Sequence, residues 1–180
     1  MADTALLPID IRDERRADID GVDALVAAAF DGRPNEVALV RALRRAPAPA
    51  ISRVAWCGEV LAGHALLSAL RLSGSAASVL GLAPVSVSPS WQGVGVGAAL
   101  VTDAVERAAV FGAELVVVLG DPAYYRRFGF VRADRHRVGA PVGVRADALQ
   151  VIPLVGWTDP DGGPPPVVVY PDVFVETGTL

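Results

Sequence analysis

Apolar residues in the first half of the chain change their spacing from helical to alternating. Twice they recur every three or four positions, which predicts two amphipathic helices, and Asp18 is the expected N-cap of the first. The stretches that follow are rich in Val, Ile and Leu, and the Gly58-Glu59 pair predicts a tight turn between two strands. In chain order the predicted elements are a strand at residues 8–12, helices at 18–29 and 34–45, a break at the APAPA stretch 46–50, and strands at 52–57, 60–72 and 79–87.

In the second half, a glycine-rich stretch separates a strand from a helix. An apolar stripe that includes Leu100 and Ala108 predicts an amphipathic helix that ends at Gly112. The continuous apolar run LVVVL is typical of a strand buried on both faces, as in parallel pairing. Without repeats or a second core, the pattern predicts one α/β domain over residues 1–180. The other predicted elements are a short helix from Asp121-Pro122 through Phe128 and a strand near 167–170.

Composition and charge exclude several classes of protein. Hydrophobic residues make up 52% of the sequence, but no apolar run approaches the roughly 18 residues of a membrane-spanning helix. The N-terminal stretch MADTALLPID lacks the basic residues of a secretory or transit signal, so we expect a cytoplasmic protein with no membrane partner. A formal net charge of -4 argues against a nucleic-acid partner. All 16 basic residues are Arg, which excludes the lysine-dependent phosphate loop of nucleotide hydrolases.

Thiol and imidazole groups are too few to predict a metal centre. Cys57 is the single cysteine, which excludes a disulfide within the chain, and we expect it to be a small buried hydrophobic residue. His64 and His136 are the only histidines. The sequence therefore predicts that no metal is needed.

Three alternating glycines, Gly93, Gly95 and Gly97, stand where a strand ends and a helix begins. Backbone N–H groups at a helix start favour an anion, and glycine lets a phosphate approach the main chain. The letters GVGVGA match the dinucleotide pattern GxGxxG/A, but they come mid-chain, and Glu114 precedes the next strand instead of ending it. The spacing therefore leaves open a dinucleotide or another phosphate-bearing ligand.

A second match is more extensive. Gln92, Gly95 and Gly97, after a strand that ends V-x-V-x-P, resemble the Q/R-x-x-G-x-G/A loop of the GCN5-related N-acetyltransferases, the GNAT family. The segment GDPAYYRRFGF, residues 120–130, resembles that family's Y-x-x-x-G-F signature, with Tyr125 at the tyrosine position. Its longer form is similar to a bacterial subgroup of predicted acetyltransferases. The resemblance covers nearly the whole chain and implies one domain with a central, mostly antiparallel, splayed sheet flanked by helices.

The resemblance implies an acetyl-CoA-dependent N-acetyltransferase in which a primary amine attacks the thioester directly within a ternary complex. The acceptor would be a small-molecule or peptide amine that the sequence does not identify, and a homodimer stays open. A non-catalytic module that binds a CoA thioester and a dinucleotide-binding protein are the alternatives. The residues that the resemblance assigns to acetyl-CoA are Val85, Ser86 and Val87 for the pantetheine arm, and Gln92, Gly93, Val94, Gly95, Val96, Gly97 and Ala98 for the pyrophosphate.

Acetyl transfer needs a proton for the leaving thiolate and a donor for the oxyanion. The resemblance assigns the proton to Tyr125, whereas helical spacing turns Tyr124 and Phe128 toward the core. The oxyanion donor is expected to be a main-chain N–H near Val87, because Pro89 should end regular strand pairing there.

The base that receives the amine proton is the least defined part of the site. The loop-bearing strand carries no acid where some relatives have a glutamate. Glu36, at the start of the second predicted helix, is the preferred candidate, and His64 in the hairpin is the second. Water could also serve.

Overall fold

A computed structural model of the chain describes residues 8–46 and 50–180, and these contain an eight-stranded sheet flanked by helices. The strands are β1 (Ile9–Asp13), β2 (Ala50–Cys57), β3 (Val60–Leu72), β4 (Val79–Val87), β5 (Leu115–Leu119), β6 (Val131–Arg132), β7 (Leu149–Pro153) and β8 (Val168–Val169). The helices are α1 (Ile19–Ala29), α2 (Pro34–Arg45), α3 (Val96–Phe111), α4 (Pro122–Tyr125) and α5 (Asp172–Glu176). The strand order is β1-β2-β3-β4-β5-β7-β6, and β8 pairs with β3.

Strand pairing confirms the predicted fold class. Every pair of neighbouring strands is antiparallel except β4 and β5, which are parallel. The parallel pairing predicted for β5 is therefore confirmed on its β4 side, whereas β7, on the other side, is antiparallel. No helix among the described residues combines the length and the hydropathy that crossing a bilayer requires.

Most predicted elements are confirmed to within a few residues. The first strand is displaced by one residue, and α3 begins inside the glycine-rich stretch. The strands β6 and β7 and the helix α5 were not predicted. Residues 47–49, which make up most of the predicted break at 46–50, lie outside the described residues. Residues 1–7 of the N-terminal stretch lie outside them as well.

The prediction that Asp18 caps α1 is wrong for its side chain, which makes no capping hydrogen bond to this helix. Its carboxylate accepts hydrogen bonds from Arg12 Nη1 at 2.6 Å and from the backbone N–H of Arg15 at 2.7 Å. The carboxylate therefore holds the turn before α1. Its ion pair with Arg12 of strand β1 takes the place of the capping hydrogen bond to the first N–H groups of the helix.

Alternate residues of β3 build cores on opposite faces of the sheet. Leu67 belongs to the core that packs against α3, and Leu66 belongs to the core formed with α1 and α2. At Gly63, a Cβ atom would lie 2.7 Å from Leu100 Cδ1, so a glycine there lets α3 lie close to the sheet. The buried Arg53 of β2 adds a bidentate ion pair to Asp103 of α3, at 2.6 and 2.9 Å.

The sheet opens between β4 and β5 before β4 ends. Within the described residues, β5 pairs with β4 only over residues 79–81, so the rest of β4 has no strand partner on that side. On the other side of β4, Ala83 and Pro84 lie opposite the single residue Leu66 of β3. Such a bulge bends a strand and increases its twist. We attribute the divergence of β4 from β5 to this bulge.

A buried polar chain on the α1–α2 face of the sheet surrounds His64. The His64 side chain is fully buried, and its Nε2 lies 2.8 Å from Ser52 Oγ. Ser52 donates to Glu14, which also accepts from Arg44, and Arg44 Nη1 donates to Asp23 Oδ1 at 2.7 Å. Burial lowers the pKa of His64 to about 4, Arg44 adds to this lowering, and Glu14 and Asp23 oppose it. The imidazole is therefore neutral in the folded protein at pH 7.

The depressed pKa of His64 predicts a loss of stability in mild acid. Between its unfolded pKa of 6.5 and its folded value of about 4, His64 takes up a proton only when the chain unfolds. The free energy of unfolding should therefore fall by about 3 kcal/mol as the pH drops through this window. Urea unfolding at a series of pH values measures this change.

The variant His64→Gln cannot titrate and should lose most of that pH dependence. Asp18 and Asp23 do not interfere, because their folded pKa values lie below the usual range and their contributions are lost at lower pH. An equally steep profile in a folded His64→Gln protein would show that another group causes the effect.

Candidate active site

The glycine loop between β4 and α3 uses backbone conformations that glycine adopts readily. Gly93 and Gly95 have φ angles of 78° and 100°, and a Cβ atom at either position would meet nothing within 4 Å. Conformation, and not crowding, therefore requires glycine at these two positions. Gly95 is the N-cap of α3, and no side chain of the described residues caps this helix. The first N–H groups of α3 are thus available to a ligand.

Gly97 is needed for a different reason, which is the close approach of Tyr124. A Cβ atom at Gly97 would lie 2.9 Å from Tyr124 Oη and 3.4 Å from Val87 Cγ2. Gln92 Nε2 donates a hydrogen bond to the Val87 carbonyl at 3.1 Å. These contacts hold the loop, the end of β4 and the start of α4 in fixed relative positions.

The first cavity, of about 670 Å³, lies in front of the glycine loop and extends along β4. Arg127 lines it, with its guanidinium carbon 4.2 Å from the ring centroid of Tyr124. The carboxylate of Asp121 also lines it, but Asp121 Oδ1 accepts the Ala123 N–H at 2.9 Å as the predicted cap of α4. The N–H groups and Arg127 together favour an anionic ligand. The lining residues are Ala29, Phe30, Val85, Val87, Gln92, Gly93, Gly95, Gly97, Ala98, Asp121, Tyr124, Tyr125 and Arg127.

The second cavity, of about 270 Å³, shares Phe30, Val85 and Tyr125 with the first. Glu36 lines it, and Glu36 Oε2 is buried without a hydrogen-bond partner among the described residues. A carboxylate oxygen accepts hydrogen bonds, so Glu36 Oε2 can bind a donor group that enters this cavity. The other lining residues are Leu39, Gly81, Leu82, Ala83, Pro84, Val117, Leu119, Tyr170, Phe174, Thr179 and Leu180.

Tyr125 forms part of the wall of both cavities. Its ring packs edge-on against Phe130, with centroids 5.7 Å apart, and over Gly120, where a Cβ atom would lie 2.5 Å from Tyr125 Cε2. Burial, with a smaller contribution from Tyr124, raises the pKa of Tyr125 to about 12. The phenol is therefore protonated at neutral pH and can donate a hydrogen bond.

Tyr124 packs against the core, as helical spacing predicted, but it also lines the first cavity. The helix α4 has only one turn before a 3-10 turn at Arg126–Phe128, and the two tyrosine rings pack edge-on with centroids 5.0 Å apart. Phe128 packs against the core as predicted. Tyr124 and Arg127 are thus cavity residues to which the sequence assigned no ligand.

The structure brings most of the predicted site residues together. Glu36 lines the second cavity, and Tyr125 lines both. Three predicted residues line neither cavity with their side chains: Ser86 and Val96 are buried, and Val94 is half exposed. The predicted residues that line the first cavity are Val85, Val87, Gln92, Gly93, Gly95, Gly97 and Ala98.

Two other expectations about the site need correction. His64 lines neither cavity, because its side chain lies in the buried polar chain on the α1–α2 face. Main-chain pairing does not stop at Val87, since the Ser88 N–H donates to the Ala62 carbonyl at 2.9 Å. The irregular part of β4 is the bulge at residues 83 and 84 instead. In residues 8–46 and 50–180, no group of three or more His, Cys, Asp or Glu side chains is placed to hold a metal ion.

Comparison with known proteins gives consistent matches. The family model described as an acetyltransferase (GNAT) domain matches residues 10–133. The uncharacterized N-acetyltransferase YhbS of Escherichia coli (strain K12) is 35% identical over 128 residues, which cover 70% of this chain and 75% of that protein. The uncharacterized N-acetyltransferase YjhQ of the same organism is 38% identical over 84 residues, 46% of each chain.

Two solved structures share the fold over nearly the whole chain. A GNAT family N-acetyltransferase (YhbS) from Escherichia coli, in complex with CoA, has a TM-score of 0.83 and 30% identity, covering 97% of this chain and 96% of that one. A GNAT family acetyltransferase from Brucella melitensis, in complex with acetyl-CoA, has a TM-score of 0.75 and 31% identity, covering 94% and 99%. The family match over residues 10–133 and these relatives confirm the predicted resemblance, and the chain belongs to the GNAT family of acetyltransferases.

Proposed function

We propose that this chain transfers an acetyl group from acetyl-CoA to a primary amine by direct attack in a ternary complex. Family membership supports the enzyme class and acetyl-CoA as co-substrate, since relatives bind CoA and acetyl-CoA. The observation that carries the proposal is the meeting of the two cavities at Val85 and Tyr125. A thioester carbonyl at this junction could be reached by an amine from the second cavity. We further propose that the chain forms one domain and works in the cytoplasm, and a homodimer stays open.

Acetyl-CoA would occupy the first cavity with its pyrophosphate at the glycine loop. The free N–H groups at the start of α3 and the Arg127 guanidinium would bind the phosphates. The pantetheine arm would lie along the edge of β4 from Val87 to Val85, because β5 leaves this edge unpaired. An extended chain beside an open strand edge can use main-chain hydrogen bonds.

Glu36 and Tyr125 would carry the protons. The bound ammonium must lose a proton before it can attack, and Glu36 Oε2 in the second cavity would take that proton as general base. The C–N bond forms as the C–S bond breaks, the Tyr125 hydroxyl would donate its proton to the leaving thiolate, and the second proton of the attacking nitrogen would restore the Tyr125 phenol. Proton exchange with solvent after product release restores the Glu36 carboxylate. Both residues touch the space where the reacting atoms would meet.

The position of the glycine loop predicts selective binding of CoA. Acetyl-CoA and CoA should each raise the melting temperature, whereas NADH and FAD should not, because a ligand selective for the folded state must stabilise it. The Gly95→Asp variant should weaken CoA binding by about 100-fold or more, because the side chain brings bulk and negative charge to the phosphate position. Thermal shift and calorimetry measure these effects.

Gly112→Asp is the matched control for that variant. Gly112 is the C-cap of the same helix, has a φ of 88°, and likewise has nothing within 4 Å of a built Cβ atom. The conformational strain and the charge change are thus comparable, but CoA affinity should stay at the wild-type level. Equal CoA affinity in folded Gly95→Asp would remove the loop from the proposed phosphate site.

The Tyr125→Phe variant tests the proposed acid. It keeps the ring and its packing against Phe130, so CoA affinity should barely change, while kcat falls by about 10²- to 10⁴-fold. The comparison is Tyr124→Phe, which removes the hydroxyl beside Gly97 and should raise the KM for acetyl-CoA more than it lowers kcat. Steady-state assays of thiol release with one acceptor amine measure both. Equal kcat for wild type and Tyr125→Phe would exclude the hydroxyl as proton donor.

A further inference from the structure

The second cavity combines one carboxylate side chain with lining side chains that are otherwise uncharged. Glu36 provides the carboxylate, and none of the described residues that line the cavity carries a positive charge. The phenols of Tyr125 and Tyr170 stay neutral, because burial raises the pKa of each. The remaining surface is mainly the aliphatic and aromatic side chains of residues such as Leu39, Leu119 and Phe174.

The wall formed by the C-terminal segment is held in place by specific contacts. Asn35 Nδ2, next to Glu36, donates to the Gly178 carbonyl at 3.3 Å, and the Thr179 N–H donates to the Phe174 carbonyl at 2.9 Å. The Phe174 ring packs edge-on against Tyr170, with centroids 5.1 Å apart. The apolar end of the cavity is therefore built before a ligand arrives, which lowers the entropic cost of binding.

We infer that the acceptor is a compact monoamine with an apolar aromatic or branched aliphatic body and no carboxylate. This inference rests on the proposed acetyl transfer and names the substrate class for the same site. The ammonium would pair with Glu36, and the apolar body would fill the space between Leu39, Leu119 and Phe174. The cavity of about 270 Å³ limits the size of that body.

The same wall disfavours the other common classes of amine. An amino acid or peptide C-terminus would bring a carboxylate into a cavity whose described lining residues supply no cation to meet it. A polyamine or an aminoglycoside would bring further ammonium groups, but Glu36 is the only carboxylate side chain among the lining residues. A buried unpaired charge is costly, so each mismatch should lower acceptance strongly.

A series of matched amines tests this inference in two ways. The probes are 2-phenylethylamine, phenylalanine, which adds a carboxylate, and the branched 2-methylpentylamine with 2-methyl-1,5-diaminopentane, which differ by one ammonium. We expect kcat/KM for each monoamine to exceed that of its charged counterpart by about 100-fold. Calorimetry of 2-phenylethylamine with the CoA-saturated protein measures binding independently of turnover, and 2-phenylethanol, its neutral analogue, should bind at least about 10-fold more weakly.

Two variants locate the bound amine. Glu36→Gln keeps the shape of the cavity and should weaken 2-phenylethylamine binding by about 10-fold or more without changing binding of 2-phenylethanol. Leu119→Arg adds a positive charge to the wall and should weaken amine binding similarly, while CoA binding reports that the protein is folded. Val110→Arg, at a position 80% exposed on α3, makes the same charge change away from the cavity and should have no effect. If Leu119→Arg does not fold, Glu36→Gln decides.

The outcomes separate this inference from the proposed function. Acetyl transfer that favours diamines, aminoglycosides or amino acids would overturn the monoamine inference and leave the acetyltransferase proposal standing. Monoamine binding that is absent, or unchanged by both cavity variants, would also overturn it. Failure to bind CoA would overturn the proposed function alone. In that case Glu36-dependent binding of 2-phenylethylamine to the protein without CoA would still support a monoamine site in the second cavity, and its absence would reject that site.

Discussion

Both cavities depend on the divergence of β4 from β5. The two strands pair only over residues 79–81, and the bulge at Ala83 and Pro84 then bends β4 away. Proline is tolerated at such a position because the bulge does not require its missing N–H. The gap is bordered by the Tyr125 segment after β5 and by Phe30 and Glu36 near the α1–α2 junction. Had β4 and β5 stayed paired to their ends, neither the exposed edge of β4 nor the junction of the cavities would exist.

The pairing of buried charges distinguishes structural carboxylates from the one in the site. Asp18 pairs with Arg12, and Asp23 pairs with Arg41 and Arg44. These arginines lower the pKa of both carboxyl groups, so the charges are compensated within the fold. Glu36 has a buried oxygen with no hydrogen-bond partner among the described residues, and Glu36 lines a cavity. This oxygen can therefore accept a hydrogen bond from a group bound in the cavity, which the paired carboxylates of Asp18 and Asp23 are not placed to do.

The sequence predicted the parts of the fold that local chemistry determines. The glycine-rich turn before α3, the cap at Asp121 and the amphipathic pattern of α3 are all properties of short stretches. The strand β7 was missed because its buried Gln150 interrupts the apolar pattern. Its amide donates to the Gly120 carbonyl at 3.1 Å, a contact between residues 30 positions apart. The helix α5 has five residues, which is too short for helical periodicity to show.

The cavities themselves could be predicted only in part. The motifs identified the glycine loop and Tyr125, which are contiguous in sequence. Tyr124 was assigned to the core alone, because the prediction assumed a regular 100° spacing that a one-turn helix followed by a 3-10 turn does not keep. Arg127 was assigned no ligand, because an exposed arginine on a helix is usually solvated. The wall at Thr179 and Leu180 depends on the hydrogen bond from Asn35 of α2 to the Gly178 carbonyl, which joins residues 143 positions apart in the sequence. No local pattern carries that information.

The environment of Tyr125 also changes how its acidity must be understood. A phenol of pKa about 12 and a free thiol of pKa about 8.5 differ by about 3.5 units, so proton transfer to a solvated thiolate would cost about 5 kcal/mol. The same apolar surroundings act on the thiolate, however, and burial raises the pKa of the Cys57 thiol in this protein. Because desolvation disfavours both anions, the two pKa values move in the same direction and the mismatch becomes smaller. In the proposed reaction, Tyr125 would therefore donate its proton efficiently only while the junction excludes water, which would require both cavities to be filled.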